Sequence, residues 1–425
     1  MTGSSRHYVL AAGGTGGHLI PAFALAVELE RRGHHVALVT DERGARIPGR
    51  PDFLTAHVIP AGRFGGNPLA WVRGVGAVLG GRRMALRLFD SFRPSAVVGF
   101  GGYPALPTLL AARSARLPTI LHEQNAVLGR VNRLLAARVD AIATAYPQID
   151  RLKSAYGGKV YLVGNPVRHQ LLALRDEPYP RLGEEGLLRV LVTGGSQGAR
   201  VLSEVVPDGL AMLPPALRSR LQVTQQCRPE DLEAVRERYR SHDIPAECGT
   251  YFEDMAARLA DTHLFIGRAG ASTIAELTVV GRPAILIPLP TATDDHQASN
   301  TRELVRAGGA RMIRQPAAII GEILGADDSK NRKRREQSAA IQKLAKEICR
   351  QIKVIAESPD SLANAAYAAW NCGRPYAARD LADLVEGSGG ADMMDVIRVQ
   401  SAPVRAAGEV VPGTATRHLP REIER

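Results

Sequence analysis

Cysteine is scarce in this 425-residue chain, and the four present, Cys227, Cys248, Cys349 and Cys372, show no paired spacing. That excludes a disulfide framework and a cysteine-rich zinc site, and leaves them as small buried hydrophobes. Aromatic residues make up only 5% of the sequence, too few for the stacking platforms that hold single-stranded nucleic acid. No Asp-x-Asp pair occurs anywhere, so a metal-bridged diphosphate is not expected, and neither a metal nor another cofactor is assigned. Long uncharged runs are few. One of them, Pro94 to Ala112, holds three prolines and three glycines and reads as core rather than as a membrane span. Only Arg6 precedes the first short apolar run, which ends in glycines rather than a small-residue cleavage site, so no signal peptide is expected and cytoplasm is the default.

What is present is a 45% hydrophobic composition, ordinary for a globular protein, in a chain too long for one core. The net charge of +11 is unevenly placed: residues 329 to 353 contain nine Lys/Arg against two Glu. That clustering reads as the solvated face of a helix, and nucleic acid is not an expected partner.

Apolar strand-like runs alternate with helix-period stretches: YVLA, LIPAFALAVELERR and HVALVT, then SAVVGF, TLLAARSA and TILH. This alternation predicts βαβ units and a parallel sheet. It restarts at LLRVLVTGG after the connection PYPRLGEEG, so the fold class is α/β with two doubly wound, Rossmann-like domains and a cleft between them. The expected boundaries are 1–163, 164–386 with an atypical basic segment at 319–353 that looks inserted, and a disordered tail at 387–425.

Three glycine-rich turns follow strands: GGTGGH at 13–18, TGGSQGAR at 193–200 and GRAGASTIAE at 267–276. Each places free backbone N–H groups at a helix N-terminus, where the helix dipole favours an anion. The first is not a dinucleotide fingerprint, because Leu19 stands where the third glycine would, and the lysine of a P-loop is missing. Asp41, at the end of the next strand, could still serve a ribose. Glu276, in the first turns of its helix, could accept hydrogen bonds from two vicinal hydroxyls or simply complement the dipole.

In chain order, GGTGGH, GFGGYPALP, LHEQNAVLGRVNR, VGNPVR, VTGGSQGAR, GRAGASTIAE and DDHQASN resemble the motifs of the bacterial glycosyltransferases that complete lipid II. Those enzymes move N-acetylglucosamine from UDP-N-acetylglucosamine to undecaprenyl-diphospho-N-acetylmuramoyl-pentapeptide, lipid I. The resemblance spans roughly residues 7 to 315 and implies the GT-B architecture, with the acceptor mainly on the N-terminal domain and the donor mainly on the C-terminal one. By motif it implies that Thr15, Gly16 and Gly17 line the diphosphate or sugar side, that Asn125 faces the sugar, and that Arg168 lies near the donor phosphates. Ser196 and the backbone at Phe252 would approach the nucleotide. The run Ala271, Ser272, Thr273, Ile274, Ala275 and Glu276 would hold uridine, with Glu276 on the ribose. Gln297 would reach the N-acetylglucosamine hydroxyls, and Asn300 is a further candidate.

In the resembled family the donor is α-linked and the product β-linked, so the reaction inverts in one displacement and needs a base. His18 closes the first glycine turn, where the positive helix end favours neutral imidazole, and is the expected catalyst. The stretch Asn67 to Phe89 mixes Leu69, Trp71, Val72, Val75 and Leu79 with Arg73, Arg82, Arg83 and Arg87. It reads either as a helix packed on its own domain or as a membrane-seating one; the lipid-bound acceptor favours the second. Expected surroundings are therefore the cytoplasmic face of the inner membrane, with an anionic lipid surface and cell-wall and division-complex proteins as partners. Other readings at this point are a transferase using another UDP-sugar or acceptor, a dinucleotide-dependent oxidoreductase, and a non-catalytic nucleotide-sugar binder.

Overall fold

The structure, a computed structural model, describes residues 5–62, 68–183, 185–195, 199–319, 328–356 and 358–388. Strands β1 (His7–Ala11), β2 (His35–Thr40), β3 (Thr55–Val58), β4 (Ala96–Gly99), β5 (Thr119–Glu123), β6 (Ala141–Thr144) and β7 (Val160–Leu162) form one sheet. A second contains β8 (Leu188–Thr193), β9 (Leu221–Gln226), β10 (Ala246–Gly249), β11 (Leu264–Gly267), β12 (Ala284–Leu286) and β13 (Ala310–Met312). Their orders are 3-2-1-4-5-6-7 and 10-9-8-11-12-13, and every pairing is parallel. The central strands bury nearly every residue because helices cover both faces, which is why they read as continuous apolar runs instead of alternating ones.

Strand order reverses between β1 and β4 in the first sheet and between β8 and β11 in the second. At such a point neighbouring connections leave to opposite faces and open a crevice beyond the carboxyl ends of the strands. The glycine turns GGTGGH and GFGGYP fall at the first reversal, and VTGG and GRAGAS at the second.

Two expectations change. Much of the basic segment is built into the fold: helix Asp328–Ile355 is an integral part of the second core, with Leu344, Ala345, Ile348, Cys349, Ile352 and Ile355 all buried. Those apolar residues recur every three or four positions, so one stripe packs on helix Arg200–Ala211 while Lys343, Lys346 and Arg350 face outward. At Gly209 a Cβ would meet the carbonyl oxygen of Ala345 at 2.9 Å and Ile348 Cγ2 at 3.1 Å, so the two helices approach almost backbone to backbone. The run of basic residues obscured this stripe. The second change concerns the closing helix Ala377–Ser388, which extends into the range expected to be tail and does not pack with the sheet that precedes it. Its Leu381, Ala382, Leu384 and Val385 enter the first core beside Tyr8, Leu25 and Leu29. Arg32 pairs with Asp383 at 2.6 Å on the rim of that contact. The rest of the expected tail, 389–425, lies outside the described residues.

Ile348→Ala should therefore cost about 2–5 kcal/mol of folding stability, the range for truncating a buried aliphatic side chain. Lys346→Gln on the outer face should stay within about 0.5 kcal/mol. Chemical denaturation of both variants checks this, and equal small effects would return the helix to the status of an appendage.

Candidate active site

Between the two crevices lies a cleft of about 1890 Å³. Thr15, Gly16, Gly17, His18, Asn125, Arg168, Phe252, Ala271, Ser272, Thr273, Glu276 and Gln297 all line it. Ile274 and Ala275 do not; they turn toward a smaller cavity behind their helix, beside Tyr146 and Asn165. Ser196 lies outside the described residues. Among the helices that begin at the cleft, Gly16–Arg31 and Ala271–Val280 start from Thr15 and Gly270 with no side-chain cap and no acidic residue in the first turn. Elsewhere the chain does cap: Asp41 and Ser358 each accept a hydrogen bond from the N–H three residues on. Uncapped N–H groups facing the cleft leave two positive helix ends for an anion.

The first turn is held by the loop after β4. Gly102, at φ +76°, has no room for a side chain, since a Cβ would meet the carbonyl oxygen of Gly13 at 2.7 Å. That same carbonyl accepts a hydrogen bond from His18 Nδ1 at 3.0 Å, so Nδ1 carries the ring hydrogen and Nε2 keeps its lone pair. Desolvation pulls the His18 pKa below the ordinary 6.5, with His296 adding to the effect and the Gly13 carbonyl, Glu123 and Asp41 opposing it. Neutral imidazole at neutral pH follows.

His122 differs. Its Nε2 donates to the Gly164 carbonyl at 2.9 Å, its Nδ1 accepts from Gln124 at 3.0 Å, and burial lowers its pKa to about 4. It is a core histidine at the start of the interdomain link. Next to it, buried Glu123 organises the loop that bears Asn125: it accepts from the Asn125 backbone N–H at 3.0 Å, from Gly129 N at 2.8 Å and from Asn132 Nδ2 at 2.8 Å.

On the other wall, Arg168 Nη2 sits 3.0 Å from Glu276 Oε1, and its Nε donates to the same oxygen at 3.1 Å. The structure thus joins two residues that sequence reasoning had given separate duties, one to phosphate and one to ribose. Burial pushes the Glu276 carboxyl above the ordinary range, and Arg168 draws it back. Sequence reasoning missed Arg268, although it stands inside GRAGASTIAE just before a helix start. Its guanidinium is buried on the cleft wall, donates from Nη1 to the carbonyls of Ile287 at 3.0 Å and Pro288 at 3.2 Å, and has its pKa lowered to about 10 by desolvation alone. It keeps its charge with no carboxylate among the described residues to neutralise it.

The Glu276 arrangement sets a pH dependence. A carboxyl whose folded pKa is raised favours the folded state while protonated, and that contribution is lost as pH rises through the folded pKa. Arg168→Met removes the opposing charge, so its stability should fall more steeply than wild type as pH rises above about 4. Adding Glu276→Gln should abolish the extra slope, and denaturant melts across pH that show parallel curves for Arg168→Met and wild type would contradict the coupling.

Residues 8–144 match the glycosyltransferase family 28 N-terminal domain, and residues 189–352 match the glycosyltransferase family 28 C-terminal domain. A relative from Erythrobacter litoralis is 70% identical over 97% of this chain and 97% of its own length. One from Novosphingobium aromaticivorans is 69% identical over 96% of this chain and 99% of its own. Both are called UDP-N-acetylglucosamine--N-acetylmuramyl-(pentapeptide) pyrophosphoryl-undecaprenol N-acetylglucosamine transferase. The crystal structure of Acinetobacter baumannii MurG superposes with a TM-score of 0.66 at 26% identity, over 90% of this chain and 99% of that one. A UDP-N-acetylglucosamine 2-epimerase from Neisseria meningitidis shares only the fold, at 13% identity and a TM-score of 0.55. With two domain matches in the expected order and near full-length relatives at this identity, the chain belongs to glycosyltransferase family 28.

Proposed function

We propose that this protein transfers N-acetylglucosamine from UDP-N-acetylglucosamine to the C4 hydroxyl of the muramoyl sugar of lipid I, forming lipid II. The observation that carries the reading is the division of chemistry across the cleft. His18 offers a neutral Nε2 from one wall, while an uncapped helix end and the Arg268 guanidinium stand on the other. The names of the near full-length relatives support the same donor and acceptor.

In the proposed reaction the acceptor oxygen attacks C1 of the donor sugar as its proton passes to His18 Nε2. The bond from C1 to the phosphate oxygen breaks in the same displacement, and UDP leaves with the electron pair. Inversion follows without a covalent sugar–enzyme intermediate. Charge grows on the leaving diphosphate, where the N-terminus of helix Ala271–Val280 and Arg268 are positioned to stabilise it. Arg168, held by Glu276, sets the same wall.

The lipid tail of the acceptor calls for a membrane surface, and helix Pro68–Phe92 supplies a suitable face. Trp71, Val72, Val75 and Leu79 are exposed on it with Arg73, Arg83 and Arg87. Among the described residues no helix is long and apolar enough to cross a membrane. The chain then works as a peripheral protein on the cytoplasmic face, with apolar side chains in the interface and arginines near anionic headgroups.

A transfer assay from labelled UDP-N-acetylglucosamine to a lipid I analogue tests the reading directly. His18→Ala should lower kcat by about 100-fold or more while donor affinity stays near wild type, within the usual range for a lost general base. Because the His18 pKa lies below 6.5, the wild-type rate should hold through neutral pH and fall only on the acid side of that value. An acid limb above neutrality, or near-normal turnover in the variant, would assign the base elsewhere. Separately, Trp71→Ser combined with Val75→Ser should weaken cosedimentation with anionic vesicles by about tenfold, the effect of ~1.4 kcal/mol of lost apolar insertion. Transfer to a short-chain, water-soluble acceptor should be unchanged, and undiminished vesicle binding would place the membrane face elsewhere.

A further inference from the structure

The segment that follows β12 is fastened to the opposite half of the molecule at three places. Asp294, in the left-handed region at φ 57°, pairs with Arg133 at 2.8 Å and with Arg151 at 3.0 Å. Asp295 is left-handed as well, at φ 54°. Two consecutive non-glycine residues in that region are costly, and such a turn persists only where its surroundings impose it. Beyond the turn, Arg302 holds Asp150 with two hydrogen bonds of 3.0 and 2.7 Å.

Between these ion pairs lies Asn300, fully buried. Its Nδ2 donates to Asn125 Oδ1 at 3.1 Å and to the Ala269 carbonyl at 3.2 Å, and its Oδ1 accepts from Ala126 N–H at 2.8 Å. One amide therefore joins the loop that carries Asn125, on the acceptor half, to the loop that opens helix Ala271–Val280, on the donor half. Gln297, on the cleft wall, is framed between the Asp294 and Asn300 ties, and its Oε1 accepts from Leu289 N–H at 2.8 Å.

We propose that Asn300 is a positioning residue that makes the donor corner and the acceptor corner of the cleft one unit, so that binding of one substrate prepares the site for the other. It acts through Asn125 and Ala269, without touching either substrate. The two donations from Nδ2 are the coupling element, because they are what connects the two loops. The Oδ1 contact to Ala126 N–H also crosses to the acceptor half, but it reaches neither the Asn125 side chain nor the Ala269 loop. The inference rests on the proposed transferase reading and adds to it an interdomain tie that reads out as cooperativity between ligands.

Asn300→Asp separates these contributions. It keeps the size and an oxygen for Ala126 N–H, but an ionised carboxylate cannot donate to Asn125 Oδ1 or to the Ala269 carbonyl. The experiment uses the full chain and three readouts: kcat for transfer to a lipid I analogue, UDP-N-acetylglucosamine affinity by calorimetry with and without a non-reacting acceptor analogue lacking the C4 hydroxyl, and the melting temperature. The wild type should bind donor more tightly when the acceptor analogue is present. In Asn300→Asp that enhancement should vanish and kcat should fall at least about 30-fold, while donor affinity measured alone stays within about threefold. Should the variant fold poorly, Asp294→Asn, which weakens the ion pairs at the other end of the segment, should lower the enhancement and kcat in the same direction. Ile348→Ala supplies the control for plain destabilisation: its melting temperature should fall with the enhancement intact. Donor affinity lost in proportion to kcat would make Asn300 a donor ligand and overturn the proposal. An enhancement equal in wild type and variant would overturn it too. Because the enhancement is measured by binding, it decides the role of Asn300 even if no transfer is detected, an outcome that would count against the transferase reading instead.

Discussion

A parallel sheet sends all its strands the same way, so every loop able to carry chemistry emerges at one edge, and only where strand order reverses is there room between those loops. That constraint acts twice here, between β1 and β4 and between β8 and β11. The two reversals face a common cleft, and the backbone itself forms much of its wall. Glycine is required because the loops lie within contact distance of one another: Gly102 stacks on Gly13, and Gly13 in turn leaves no room between itself and Pro104, whose Cγ would lie 2.4 Å from an added Cβ. A side chain at either position would move the carbonyl that holds His18. The orientation of the proposed base is thus set by backbone packing two loops away.

Electrostatics divides the same way. On the first wall the imidazole is kept neutral by desolvation, and its one committed nitrogen faces a carbonyl. On the second wall stand two cations, Arg168 paired with a carboxylate and Arg268 hydrogen-bonded to backbone carbonyls. Arg268 differs from Arg282, a more deeply buried arginine that donates to the carbonyls of Leu259, Val280 and Ala260 and lines neither of the two cavities described above. Arg282 closes backbone ends in the core, whereas Arg268 keeps part of its guanidinium at the cleft surface. A buried cation without a counter-charge is costly in an empty site and favourable once an anion arrives, so the stabilisation is concentrated on a bound diphosphate.

The architecture was legible in the sequence because parallel strands and amphipathic helices leave strong local patterns, and because the glycine turns sit where strands end. Most residues of the cleft were legible for the same reason. What escaped was whatever depends on distant parts of the chain. The stripe of Leu344, Ile348 and Ile352 was present at helical spacing, but the basic residues around it dominated the composition, and only its packing on helix Arg200–Ala211 shows it to be core. The closing helix gave no sign that it would return to the first core, because its partners Tyr8, Leu25 and Leu29 lie more than three hundred residues earlier. Arg168 and Glu276 each read plausibly alone, and nothing local indicates that they meet.

The return of the closing helix also bears on how the two halves move. Its core contacts belong to the first sheet, while the helix before it, Pro359–Asn371, packs with the second. The chain therefore crosses between halves twice, at the Gly164–Asn165 link and again between Asn371 and Ala377. At the second crossing Arg374 pairs with Glu303, whose carboxyl burial holds above its ordinary range. Two covalent crossings restrict the halves to rotation about the line joining them, because sliding would strain both at once. Asn300 lines the same small cavity as Asn165 of the first crossing and Glu303 and Arg374 of the second, so its tie between the two walls sits beside the points where the chain itself passes between the halves.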